Sequence, residues 1–246
     1  MMRQSTAPRQ QYDAAIRRLT ALAPLEAPDI SALQAAIGQA RVVPARRELL
    51  QEGRAIPEPL LIVEGWAARV RILIDGRRQF LSFLLPGEMV GLCRHGQPLA
   101  VSTVVALTDM TVARVPDCAP DSALAESLAV SIALEEAYLL AQIARLGRLN
   151  AQERIGDLLL ELHERLSLSQ IATGGSFEVP LTQEVLADAV GLTPVHVNRM
   201  IQLLRREGLL AWKGRRVSLR AEETLARMVG RSPVRVVGQT AVPSAA

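Results

Sequence analysis

Cysteine is nearly absent from this chain. Two in 246 residues, Cys93 and Cys118, form no disulfide framework and suit a reducing compartment. No run of about eighteen apolar residues occurs, so no membrane span is expected. The first residues, MMRQSTAPRQQYDAAIRRL, lack the apolar core of a signal peptide and mix acid with base. The cytoplasm is the expected location. No internal repeat is evident. The motifs of common catalytic sites are missing too: there is no phosphate-binding glycine loop, His-x-x-x-His metal pair or nucleophile elbow. The carboxylates are scattered, and Glu135-Glu136 reads as a solvated face of a helix. No catalytic residue can be nominated. Lysine is limited to Lys213, which says little about function.

The length allows two modest domains, and 49% hydrophobic residues suffice for folded cores. Formal net charge is +3, but it is unevenly placed. Residues 181–246 hold 10 basic and 5 acidic residues, a balance of +5, against 18 and 20 in residues 1–180, a balance of −2. The positive end is therefore the end that would meet phosphate, where counterion release gives affinity independent of sequence.

That end contains the most informative segment, LTQEVLADAVGLTPVHVNRMIQLLRREGLLAWKGRR, residues 181–216. Thr182 is a good helix N-cap, and Val185, Leu186 and Ala189 share one face of a helix running to about Val190. Gly191 supplies a tight turn, because only glycine reaches positive φ without steric cost. Ala187 is small where a second helix must pass. Thr193 caps that helix and Pro194 takes its first position, where no N–H is needed. Val197, Met200, Ile201 and Leu204 fall on its core side. Val195, Arg199, Gln202 and Arg206 face outward, flanked by His196 and Asn198. With the basic hairpin that follows, this is a helix-turn-helix built to place one helix in the DNA major groove. Two ordinary packed helices would not need this combination of cap, glycine and basic hairpin.

Upstream, residues 1–39 suggest two short helices, the second after Pro28-Asp29. From about Arg41 to Val115 the texture becomes β-rich: LLIVEG, WAARVRILIDG, RRQFLSFLLPGEMVG and VSTVVALTDMTVARVP. Asp75-Gly76 is a two-residue hairpin signal, and Glu64-Gly65 and Pro86-Gly87 mark further turns. Short strands at this spacing indicate a small barrel or jelly-roll, which alone could serve a metabolite-binding domain or a cupin-like enzyme. A long helix follows, from about Asp121 to Asn150. On it Leu124, Leu128, Ile132, Leu139, Ile143 and Leu146 form a narrow stripe, broken by Glu135. The stripe fits pairing with a twin across a two-fold axis, packing against its own β-domain, or both on different faces. Gln152 to Leu166 is another amphipathic helix. Thr173-Gly174-Gly175-Ser176 is a flexible turn before a short strand, FEVP. The segment after Gly230 reads as a mobile tail.

This order resembles the Crp/Fnr transcription regulators over about residues 25–229, most specifically in LTQEVLADAVGLTPVHVNRMIQLLRREGLL and next in LLIVEG and LSFLLPGEMVGL. The expected fold is α+β. Residues 1–120 form an N-terminal double-stranded β-helix, a jelly-roll sensor like cyclic-nucleotide-binding domains. Residues 121–150 form a dimerisation helix, 151–230 a winged helix-turn-helix, and 231–246 the tail. The resemblance implies a homodimer on a near-palindromic operator in double-stranded DNA, with RNA polymerase as a further partner.

Arg199 matches the family's base-contacting Arg, and Val195 stands where most members carry Glu. Base reading therefore falls to Val195, His196, Asn198 and Arg199, and phosphate contact to Thr182, Thr193, Gln202, Lys213, Arg215 and Arg216. Cyclic-nucleotide binders have a Glu and an Arg-Ser pair after the PGE-like turn. The matching positions here are Leu92, Ala100 and Val101, and Arg94 lies nearby at the wrong spacing. A buried phosphate without a cation is costly, so no cyclic nucleotide is expected. The iron–sulfur members use four cysteines, which this chain lacks. Cys93-x-His95 resembles the axial-ligand region of the family's haem-based carbon monoxide sensor and supplies the one alternative cofactor, haem; no cofactor is the primary expectation. Cys118 reads as a structural or incidental thiol, and His163 and His196 have no matching ligand partners. A DNA-binding protein without effector control is the other alternative.

Overall fold

A computed structural model describes residues 8–93 and 95–237. Residues 1–7, Arg94 and residues 238–246 lie outside it, and with them part of the expected tail. Two helices come first, α1 (Pro8–Leu22) and α2 (Ala27–Gly38). The second starts before Pro28 rather than after it. Proline is tolerated in a first turn, where its missing N–H has no intrahelical acceptor, and Glu26 with Asp29 forms a capping box there.

Eight short strands follow: β1 (Arg41–Val43), β2 (Glu48–Leu50), β3 (Leu60–Glu64), β4 (Ala67–Ile72), β5 (Arg78–Leu84), β6 (Met89–Val90), β7 (Thr103–Ala106) and β8 (Met110–Arg114). They make two four-stranded antiparallel sheets, β1-β8-β3-β6 and β2-β7-β4-β5. The jelly-roll interior is aliphatic, with Leu50, Leu60, Ile62, Leu84, Val90, Val104 and Val112 among its buried side chains. The β4–β5 connection is a hairpin, but its loop is not the two-residue one expected. The Leu73 N–H donates to the Arg77 carbonyl, and the Gly76 N–H to that of Leu73, with Gly76 left-handed at φ 82°. Asp75 accepts from the Arg77 N–H instead of pairing strands directly.

Helix α3 (Ala123–Arg148) is capped by Ser122, and α4 (Ala151–Leu168) by Asn150 in a capping box with Glu153. By length and average composition α3 could cross a bilayer. It instead packs along one side against α1, β5 and α4. This packing corrects the stripe expected along the helix. Leu124 and Leu128 are buried against Leu19, Leu33 and Leu61 of their own chain. Glu135 is not on a solvated face: it pairs with Arg69 of β4. Ile132, Leu140 and Ile143 are exposed at 48, 60 and 68 %, while Leu139 and Leu146 are half-buried.

The last part comprises β9 (Ser176–Glu178), α5 (Gln183–Val190), α6 (Pro194–Arg206), β10 (Leu210–Lys213), β11 (Arg216–Leu219) and α7 (Glu222–Val229), with sheet order β10-β11-β9. It does not stand apart from the roll. Trp66, Phe80 and Phe83 on the outer face of β4–β5 share one apolar cluster with Leu158, Leu162, Ala189 and Val190.

Candidate nucleic-acid interface

Thr182 accepts a hydrogen bond from the Val185 N–H at 3.2 Å and starts α5. Gly191 ends it in the left-handed region, φ 65°, with its N–H donating to the Ala187 carbonyl. A side chain there would be strained whatever the space around it. Thr193 accepts from the His196 N–H and starts α6, with Pro194 in the first turn. Val197, Ile201 and Leu204 are buried, and Met200 is half-buried against the same core. On the opposite face Val195 is 74 % exposed, and Asn198, Arg199 and Gln202 are exposed as well. His196 is half-buried at the flank.

Beside α6 stands the β10–β11 hairpin, with Lys213 paired in register to Arg216. Lys213, Arg215 and Arg216 are all exposed around Gly214. Trp212 donates from Nε1 to the Gly214 carbonyl at 3.1 Å and so braces the wing's turn. A cleft of about 260 Å³ runs between the two, lined by Gln183, Asn198, Gln202, Arg205 and Trp212 among others. Gln183 and Trp212 were missed in the sequence. Nothing local marks Trp212, since it reaches the cleft only once the hairpin folds back on α6. Gln202 accepts from Arg205 within the helix, and Arg216 has a loose pair with Glu178 at 3.8 Å.

The reading unit is clamped to the rest of the chain through α5. Arg78 pairs with Asp188 at 3.0 Å, Gln79 donates to the Asp188 carbonyl, and Gln142 of α3 donates to that of Ala189. Arg154 donates to the carbonyls of Leu146, Leu149 and Val190, joining the end of α3 to the end of α5.

Behind this clamp lies a row of buried charges that the sequence did not disclose. Arg18 faces Glu88 at 3.7 Å, Glu88 takes Arg165 at 2.6 Å, and Arg165 takes Glu161 at 2.8 Å. Glu161 binds Arg145, which binds Asp157, which binds Arg231; Arg231 also binds Glu164. Four guanidiniums thus meet four carboxylates, all of them buried except Arg231 and Glu164 at the half-buried end of the row. Gly87 makes room for the first of them, since a Cβ there would sit 2.8 Å from the Arg18 side chain. Burial alone would raise the carboxyl of Glu88, but Arg165 and Arg18 outweigh it and hold it below the ordinary value; Arg145 and Arg165 do the same for Glu161. Burial lowers Arg18, whereas Glu88 and Glu161 overcome burial to raise Arg165.

In the roll, Ala100 is buried in the aliphatic interior, Leu92 packs half-buried against the α1–α3 cluster, and Val101 is 78 % exposed. None of the three offers a cation or a ribose acceptor. Cys93 and His95 lie exposed on the loop after β6, with His95 Nδ1 accepting from the Gln97 N–H. Haem needs a dry pocket around its ligands, and two solvent-facing side chains do not provide one. Cys118 is half-buried at the end of the roll. His163 lies 3.2 Å from Glu222 and against the Phe177 ring.

Residues 40–126 match the family model described as cyclic nucleotide-binding domain, and residues 153–228 that described as Crp-like helix-turn-helix domain. The transcriptional activator protein FnrL of Cereibacter sphaeroides is 32% identical over 164 residues, covering 63% of this chain and 65% of the relative. The nitrogen fixation regulation protein FixK of Azorhizobium caulinodans is 29% identical over 203 residues, 79% of this chain and 80% of the relative. The solved structure of FixK2 from Bradyrhizobium japonicum superposes with a TM-score of 0.68 at 26% identity, covering 79% of this chain and 98% of that one. A β-roll, a long helix and a winged helix-turn-helix in this order define a class, the DNA-binding transcription regulators. This chain belongs to the Crp/Fnr family of transcription regulators.

Proposed function

We propose that the protein acts as a homodimer on a near-palindromic operator in the cytoplasm and regulates transcription there by binding, without catalysis, in contact with RNA polymerase. The observation that carries this reading is the outward face of α6. A helix whose other side is buried exposes Val195, Asn198 and Arg199 beside a basic wing. Arg199 then donates to guanine O6 and N7, Val195 contacts a thymine methyl, and His196 and Asn198 read beside them. Thr182, Thr193, Gln202, Lys213, Arg215 and Arg216 hold phosphates and set the register. The dimer seam is the exposed part of α3: Ile132, Leu140 and Ile143 with the half-buried Leu139 and Leu146. Ile132, Leu139 and Leu146 recur at heptad spacing with Ile143 between them, as a left-handed coiled coil requires, and Leu140 borders the stripe.

The relatives named as transcriptional activators favour activation over repression. Effector-independent binding is a second reading, favoured by the roll interior, which is filled by aliphatic side chains rather than polar groups. Selection from random duplex DNA tests the proposal. It should return an inverted repeat with half-sites about one helical turn apart. Recovery of unsymmetric sequences, or no enrichment, would overturn it.

A further inference from the structure

Past α7 the chain stays on the molecule. Gly230 closes that helix in the left-handed conformation, φ 66°, and the following residues turn back across α4. The Arg231 side chain is only 8 % exposed and grips α4 twice, Nη1 donating to Asp157 at 3.0 Å and Nη2 to Glu164 at 2.9 Å. The Val234 N–H donates to the other oxygen of Glu164 at 2.8 Å. Val234 and Val236 then pack on Val130, Leu134 and Tyr138 of α3, with Leu22 of α1 beside them. Pro233, Arg235 and Val237 face solvent, the alternation of an extended segment with one side bound. The end of the DNA-reading unit thus reaches the central helix and the first helix of the sensor. It also joins the buried charge row, because Asp157 is shared between Arg231 and Arg145.

Helix α3 is held near Gln142 by α5 and at Arg145 by Asp157 and Glu161 of α4, and between Val130 and Tyr138 this segment packs beside Leu168 and Glu164 of α4. The segment thus adds to the α3–α4 packing at the end of α4 farthest from the Leu149-Asn150 break. We propose that residues 231–237 are a strap that braces the DNA-reading unit on the central helix, with Arg231 as its latch. Two valines and one guanidinium are a small anchorage, of the kind that opens well before the fold does. Releasing the strap loosens the far end of the α3–α4 packing while leaving both domains intact.

Limited trypsin digestion of the full chain, read by mass spectrometry, tests this at a point remote from the strap. Arg148 is exposed at the α3–α4 break. With Val234→Asp and Val236→Asp together, cleavage after Arg148 should quicken about tenfold as the junction opens more often, while the melting transition is retained. Arg231→Gln, which keeps two donors but no charge, should give a smaller acceleration. Arg235→Gln, on the solvent side, should give none. If the double variant fails to fold, cleavage rises at every site and Arg231→Gln decides alone. Unchanged cleavage after Arg148 in a folded double variant, or in Arg231→Gln, would overturn the strap.

Discussion

Arg165→Met tests the buried charge row. Arg165 touches Glu88 through Nε and Nη2, Glu161 through Nη1, and the Phe83 carbonyl through Nη2. Methionine fills much of the volume but supplies none of these donors. The row then holds three guanidiniums against four carboxylates, with the excess negative charge shielded from water. Glu88 keeps only the longer contact to Arg18 and the Leu85 N–H. Breaking a buried pair of this kind costs about 3–5 kcal/mol, against a domain stability of about 5–15 kcal/mol. Urea denaturation at pH 7, followed by two probes because the chain has two domains, should show a loss in that range. Glu88→Met combined with Arg165→Met restores neutrality and should cost about 2 kcal/mol less than the sum of the single changes.

The pH dependence has a defined sign. In the wild type Glu88 and Glu161 are held below the ordinary 4.5. Their contribution is therefore full above that value and is lost as the pH falls through their lower folded values. In Arg165→Met Glu88 loses its main cation, burial dominates and its carboxyl rises, while Arg145 still holds Glu161, so acid relieves the variant at Glu88. Its deficit should shrink between pH 7 and pH 5. A deficit below about 1 kcal/mol at pH 7, unchanged at pH 5, would refute the reasoning.

Two further outcomes are expected. Ile132→Asp with Ile143→Asp should convert a dimer to monomers by light scattering, because both side chains are exposed on the free face of α3 and the fold does not need them; a wild type already monomeric at micromolar concentration would contradict this. Cyclic AMP should leave the melting temperature and operator binding unchanged, since Leu92 and Ala100, which the family resemblance sets against the ribose and phosphate, are apolar and packed in the chain's own clusters; a shift of several degrees would show otherwise.

The helix-turn-helix was legible because its determinants are local. Caps, a left-handed glycine and a basic face all lie within 36 residues of one another in LTQEVLADAVGLTPVHVNRMIQLLRREGLLAWKGRR. The roll was legible through its turn glycines and β-rich runs, although the Asp75-Gly76 signal fixed the hairpin and not its loop length. The stripe on α3 was legible as a stripe, but periodicity does not say what covers it. Leu124 and Leu128 turn inward because α1 happens to lie over them. The charge row could not be read at all. Arg165 and Glu88 are 77 residues apart, and both are residue types that ordinarily stay in water. The strap was hidden for a related reason: Val234 and Val236 sit among proline, serine and arginine, a composition that looks like tail until Asp157 and Glu164 are placed beside it.

The central claim, that α6 reads DNA bases through its exposed face, is tested most directly at Arg199. Wild type and Arg199→Ala should be compared on the selected half-site and on variants with each base pair changed in turn, at fixed salt. Wild type should lose about 1–3 kcal/mol when the guanine facing Arg199 is replaced, and Arg199→Ala should bind more weakly by a similar amount while becoming indifferent at that base pair alone. If Arg199→Ala retains the same half-site preference at the same strength, α6 does not read the operator as described.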